Sequence, residues 1–193
     1  MIKFRHLALA GLVVCFTGMS AMAEIVWDED VDGSLSTDRF NTTDFGTLAL
    51  GSNNMIADTQ NGISKFFTFT IAEGEELSAM ILDQWISEDD LGFLGVVEGD
   101  FFDVDPAAPD VTQLLGYVHH GATFVGEDIL PAMGQGPGSQ GFTGPLGAGT
   151  YSFWIRQGGA DLTTQDINFV VTPAPGAFAL LGVAGLVLRR RRS

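Results

Sequence analysis

Three runs in this chain repeat their apolar residues every second position, and that period decides the fold class. In Ser64–Ile71 (SKFFTFTI), Phe67, Phe69 and Ile71 fall on one face. In Thr150–Gln157 (TYSFWIRQ), Tyr151, Phe153 and Ile155 fall on one face, with Ser152, Trp154 and Arg156 on the other. In Gln165–Thr172 (QDINFVVT), Ile167, Phe169 and Val171 alternate with Asp166, Asn168 and Val170. Successive side chains of a strand point to opposite faces, so these runs can bury one face as sheet, whereas a helix would scatter the same residues around its circumference. Further strands are predicted at Phe45–Leu50, Met55–Asp58, Leu77–Ile86, Leu91–Glu98 and Gln113–His119. Twenty glycines between residues 24 and 172 punctuate the runs, as many short strands joined by tight turns require. No stretch sustains a 3.6-residue period, although Gly126–Met133 suits one helical turn, and the Gly/Pro-rich stretch Gly134–Gly149 reads as a long loop. The expected fold is all-β: a single antiparallel β-sandwich over residues 24–172, set between an N-terminal signal helix and a short C-terminal hydrophobic helix.

Charge is distributed as unevenly as the apolar residues are evenly. All 24 acids lie between Glu24 and Thr172, against only Arg39, Lys65 and Arg156, which leaves −21 on a segment of 149 residues. Such a surface repels phosphate backbones and excludes a nucleic-acid partner. The same segment holds 12 Phe, three Trp and two Tyr. That is apolar enough to fold, and about 150 residues bury roughly two-thirds of their unfolded surface. A large negative charge favours solubility and is tolerated where salt screens self-repulsion.

Both ends read as addresses. Lys3 and Arg5 precede the apolar stretch Leu7–Phe16, and Ala21-Met22-Ala23 supplies small residues at a cleavage site ahead of Glu24, the pattern of an export signal over residues 1–23. Cys15 lies inside the apolar stretch after Val14, which is too large for a lipoprotein cleavage site, so it leaves with the signal. The mature chain then carries no cysteine, which excludes disulfides and thiol chemistry. At the other end, Thr172-Pro173-Ala174-Pro175-Gly176 is followed by apolar residues to Leu188 and by Arg189, Arg190, Arg191 and Arg192. The 13 residues from Gly176 to Leu188 would make a helix of about 20 Å against a hydrocarbon core of about 30 Å. The prolines block extension upstream, and the arginines hold the end on the cytoplasmic side. A transient membrane anchor, later processed, fits these limits.

This three-part order over residues 172–193 resembles the PEP-CTERM sorting signal of Gram-negative bacteria, with Ala174 standing where the family has a glutamate. The resemblance implies an exosortase-type sorting enzyme as partner, contact with the membrane through the tail, and delivery to the cell surface or extracellular matrix. It gives roles to Pro173, Pro175, Gly176 and the four arginines as sorting signal, beside Ala21 and Ala23 as signal cleavage residues. Within the middle segment, Phe45-Gly-Thr-Leu, Ser64-Lys-Phe-Phe-Thr-Phe-Thr-Ile-Ala-Glu-Gly and Gly149-Thr-Tyr-Ser-Phe-Trp-Ile-Arg-Gln resemble the bacterial pre-peptidase C-terminal (PPC) domain. That family is a small secreted β-sandwich, usually an accessory to a catalytic domain; no catalytic domain accompanies it in this sequence.

Candidate chemistry concentrates in two places. Asp28, Asp30 and Asp32, followed by Gly33, match the first half of a calcium loop, because alternating acids before a glycine turn let carboxylates converge on a hard cation, and Asp38, one residue short of the closing position, would substitute there only with altered geometry. The position that should close such a loop with a bidentate acid is Arg39. The alternative is a solvated acidic arm. Trp154 sits on the polar face of its strand beside Ser152 and Arg156, where an exposed indole would stack on a sugar ring; burial is the competing reading for it and for Trp85. His119 and His120 end a strand and point apart, so one is expected packed and one at the surface, and zinc would need carboxylates. No G-x-S-x-G elbow and no phosphate-binding glycine loop is present; Ser139 falls in a loop. A carboxylate pair for glycoside hydrolysis could be drawn from 24 acids by arithmetic alone. The expectation is a non-catalytic surface or matrix protein, structural or adhesive. A carbohydrate-binding module that holds extracellular polysaccharide is the second reading, and a secreted hydrolase the third.

Overall fold

The computed structural model describes residues 23–60 and 62–176. The expected export signal up to Met22, with Ala21, and the expected sorting tail beyond Gly176, with Arg189–Arg192, lie outside the described residues. Nine strands are described: β1 (Glu24–Asp28), β2 (Thr43–Thr47), β3 (Gly51–Thr59), β4 (Ser64–Ile71), β5 (Glu75–Ile86), β6 (Gly92–Glu98), β7 (Gly116–His120), β8 (Gly149–Gln157) and β9 (Thr163–Pro173). Two short helices join them, α1 (Glu29–Asp32) and α2 (Leu130–Gly134). Each of the eight predicted runs overlaps a strand, but Phe45–Leu50 runs past β2, which ends at Thr47, and Gln113–His119 begins before β7, which starts at Gly116. β1 is the strand that period-two reading does not find, because its five residues bury no complete face.

The strands form two sheets, β1-β3-β9-β5 and β2-β4-β8-β6-β7. Pairing is antiparallel except at two edges, where β1 runs parallel to β3 and β2 parallel to β4. The expected antiparallel sandwich thus carries two parallel edge pairs, for a topological reason. The chain reverses at every step from β1 to β4 while crossing from one sheet to the other, so each sheet receives strands two apart, which share a direction.

Between the sheets lies an aromatic core. Phe67, Phe69 and Phe153 of the second sheet meet Phe169 of the first. Ring centroids stand 4.9 Å apart for Phe67–Phe153, 4.8 Å for Phe69–Phe153 and 5.0 Å for Phe69–Phe169. Met55, Met80, Leu82 and Ile167 complete it. Along β9 every second residue from Thr163 to Val171 is buried, as the sequence period demands. In β8, by contrast, Tyr151 to Ile155 are all buried, because the sheet's outer face is covered as well. The connection between β6 and β7 lies over that face and lays Phe102, Val104 and Leu114 on Phe66, Val97 and Trp154.

The register also fixes where the chain enters and leaves. Glu24, the first residue of β1, stands level with Asn53 of β3 and through it with Phe169 near the end of β9. The last residue of β9, Pro173, pairs with Glu75, the first residue of β5. Entry and exit therefore share one end of the sandwich. The opposite end is formed by Thr59, Ser64, Ile86, Gly92, His120, Gln157 and Thr163.

Candidate functional site

The acidic arm of residues 28–38 folds around its own carboxylates. Asp28 Oδ1 accepts from the Asp30 N–H at 3.0 Å and caps α1. Asp32 Oδ2 accepts from the Asp28 N–H at 2.9 Å, and Asp38 Oδ1 from the Phe40 N–H at 3.0 Å. Asp30 is exposed. These are local cap and turn bonds of short acidic side chains. Among the described residues, no group of three or more His, Cys, Asp or Glu side chains gathers as a metal site. The acid that organises the arm is Glu29, which the alternating-acid pattern skips. Its two oxygens accept from Lys65 Nζ at 2.8 and 2.7 Å. They also accept from the Leu35 N–H at 2.7 Å and the Asp58 N–H at 2.9 Å. Both side chains of this pair are only 9% exposed. Glu29 thus ties the arm to β3 and β4 at once. No period or spacing in the sequence announces it, since its partner is 36 residues away.

Trp154 is 4% exposed, so the open sugar-stacking surface suggested by its polar-face position is not formed. The reason is the β6–β7 connection, whose apolar side chains turn an outer face into a second core. Trp85 is also buried, its indole N–H donating to the Asp89 carbonyl at 2.9 Å. Beside Trp154, however, the cover is incomplete. A cleft of about 520 Å³ opens there, walled by Leu91, Phe93, Val111, Tyr117, Trp154 and Arg156. The Phe93 ring stands 4.5 Å from that of Trp154 and 5.9 Å from that of Tyr117. Cross-strand register assembles this row: Gly95 pairs with both Trp154 and Tyr117, and Phe93 pairs with both Arg156 and His119. Gly95 has no side chain to fill the middle, and the Phe93 ring lies over it, 3.1 Å from where a Cβ would sit.

Two of the side chains that line this cleft carry a buried donor with no hydrogen-bond partner, Trp154 Nε1 and Arg156 Nε. The rim is better satisfied. Tyr117 Oη donates to the Pro137 carbonyl at 2.9 Å, and Asp90 Oδ1 accepts from the Ala122 N–H. Asp110, at the start of the turn that carries Val111, accepts from the hydroxyl and backbone N–H of Thr112, which hold its carboxyl below the ordinary aspartate value. On its other flank Arg156 borders a more open depression of about 530 Å³ with Arg39, Phe40 and Asp105. Arg156 was visible in the sequence beside Trp154. Phe93 and Tyr117 were not linked to it, because only sheet pairing brings β6, β7 and β8 together.

The two histidines divide as their adjacent strand positions require. His119 is exposed beside Phe93, whereas His120 is 2% exposed at the far end of the core. His120 Nε2 is hydrogen-bonded to Gln165 Oε1 at 2.8 Å, and Gln165 Nε2 donates to Thr59 Oγ1 at 3.1 Å, a polar bridge between the sheets. Burial lowers the His120 pKa, and the Gln165 bond only partly opposes this. On the outer face of the first sheet, burial raises the Asp166 carboxyl despite the Asn54 amide that donates to it. Ser139 Oγ donates to the Gly136 carbonyl at 2.7 Å in the long loop. Among the described residues, no helix is long and apolar enough to cross a membrane. No family model, curated protein or solved structure matches this chain.

Proposed function

We propose that this chain is a non-catalytic, exported protein of the cell surface or extracellular matrix, structural or adhesive in role and retained by its C-terminal segment. The observation that carries the reading is the placement of the chain ends. β1 begins and β9 finishes at one end of the sandwich, and the tail starts directly at Pro173. A module tethered there presents its opposite end, with the β3–β4, β5–β6 and β8–β9 connections, away from the tether. The address-like ends, with basic and apolar residues before Glu24 and apolar and arginine residues after Gly176, supply the tether and the route. The uniformly acidic domain between them suits an exposed, soluble surface. A β-sandwich with a filled aromatic core is a rigid spacer of the kind such a role uses.

The test is deletion of Gly176–Ser193 in the producing cell. Under this reading the shortened chain is still exported but passes into the medium. Equal surface retention of both forms would overturn the assignment of the tail. Polysaccharide recognition is a second reading, favoured by the aromatic cleft of Phe93, Tyr117 and Trp154 at the presented end.

A further inference from the structure

We infer that the cleft on the outer face of the second sheet binds a small ligand made of an apolar body and a carboxylate group. The first argument is the charge inventory. Of the three basic side chains between residues 24 and 172, Lys65 is paired with Glu29. Arg39 donates to the backbone carbonyls of Phe102 and Asp103. Arg156 makes no ion pair among the described residues, in a segment holding 24 acids. Asp90 shares the cleft and Asp38 and Asp105 the adjoining depression, yet Arg156 pairs with none of them, and its buried Nε–H is left an uncompensated donor that an anionic acceptor would satisfy.

The second argument is independent of the first. Trp154 Nε1 is also buried without a partner and belongs to a side chain lining the same cleft. An indole N–H only donates, as does the guanidinium. The orphaned groups therefore both ask for an acceptor, and a carboxylate offers two oxygens. The third argument is the lining. Leu91, Phe93, Val111 and Leu114 furnish apolar walls, and about 520 Å³ is within the range of small-molecule sites. Two side chains complicate the balance and also belong to the cleft. Asp90 lines it, but one of its oxygens is held by Ala122, and His119 stands at the edge beside Phe93. The cleft lies towards the end of the sandwich away from the tether, since Leu91, Arg156 and Gly158 adjoin the Gly92–Gln157 pair.

The purified full chain, labelled with ¹⁵N, is titrated with hexanoate, benzoate, benzyl alcohol and glucuronate, each to millimolar concentration. The indole N–H signals are followed, that of Trp154 being assigned by elimination with Trp27→Phe and Trp85→Phe. Hexanoate and benzoate are expected to shift the Trp154 signal to saturation, and benzyl alcohol to bind at least tenfold more weakly, the loss expected when an ionic hydrogen bond is removed. Arg156→Gln should weaken benzoate by roughly ten- to hundredfold while the melting temperature stays put. If that variant does not fold, Arg156→Lys keeps the charge, loses the Nε–H and should still weaken binding. No shift with either carboxylate would overturn the inference. Benzyl alcohol binding as tightly as benzoate would overturn the anionic part. Glucuronate binding where hexanoate and benzoate do not would overturn the apolar part and give the cleft to sugar recognition.

Discussion

Glu29→Gln removes one charge and keeps almost every atom, which makes it a clean probe of how the N-terminal arm is held. In the folded chain Glu29 neutralises Lys65 through two contacts of 2.8 and 2.7 Å and accepts two backbone N–H groups. The substitution leaves the Lys65 ammonium 9% exposed with no counter-charge, a state that costs about 3–5 kcal/mol when one member of a buried pair is lost. For a domain of this size each kcal/mol moves the melting temperature by about 2–4 °C, so the drop should be about 6–20 °C. Removing both charges together should restore much of the loss, because a buried pair gains little over apolar packing of similar volume. The assay is thermal unfolding of Glu29→Gln, Lys65→Met and the double variant, combined as a mutant cycle. A loss under about 1 kcal/mol for Glu29→Gln would mean that Lys65 reaches water and that the arm is not pinned as described.

Three further outcomes follow from the same structure. Melting curves with calcium and with chelator should coincide if Asp28, Asp32 and Asp38 serve only as caps, whereas a rise with calcium would restore the cation reading of Asp28, Asp30, Asp32 and Asp38. His120 is buried neutral with a lowered pKa, so the unfolded chain binds its proton first. Stability should be full above about pH 6.5 and fall as the pH drops below it towards the lowered folded value; denaturant titrations from pH 7.5 to 5 check this, and His120→Gln should remove that part of the slope. Phe153→Ala, at the junction of Phe67, Phe69 and Phe169, should cost about 3–5 kcal/mol by chemical denaturation; a loss under about 1 kcal/mol would contradict a close-packed core.

What could be read from the sequence and what could not divide along physical lines. Period-two burial is local, so the strands at Ser64–Ile71, Thr150–Gln157 and Gln165–Thr172 were legible residue by residue, and with them the buried face of Phe67, Phe69, Phe153 and Phe169. Alternation alone says only that two faces differ. It cannot say that Phe102, Val104 and Leu114 come from another part of the chain to cover Trp154. The parallel edges are equally non-local, since they follow from which sheet each strand joins. The acidic arm shows the same limit in its chemistry. Spacing picked out Asp28, Asp30 and Asp32 as convergent, but Gly33 at φ 90° closes a turn in which Asp28 and Asp32 bond to neighbouring backbone N–H groups. The long-range acid was the one between them. The cleft required three strands in register and an unfilled Gly95, and no single stretch of sequence carries that combination.

The proposed role requires an exported sandwich tethered at its entry and exit end. The direct test is a single cysteine placed at the opposite end, Leu162→Cys, at a site 57% exposed, labelled on intact producing cells with a membrane-impermeant maleimide. The chain has one cysteine, Cys15, inside the proposed export signal, and under this reading the exported protein carries no competing thiol. Strong labelling of intact cells, no greater after lysis, is expected. Labelling that appears only after lysis would contradict the proposed role.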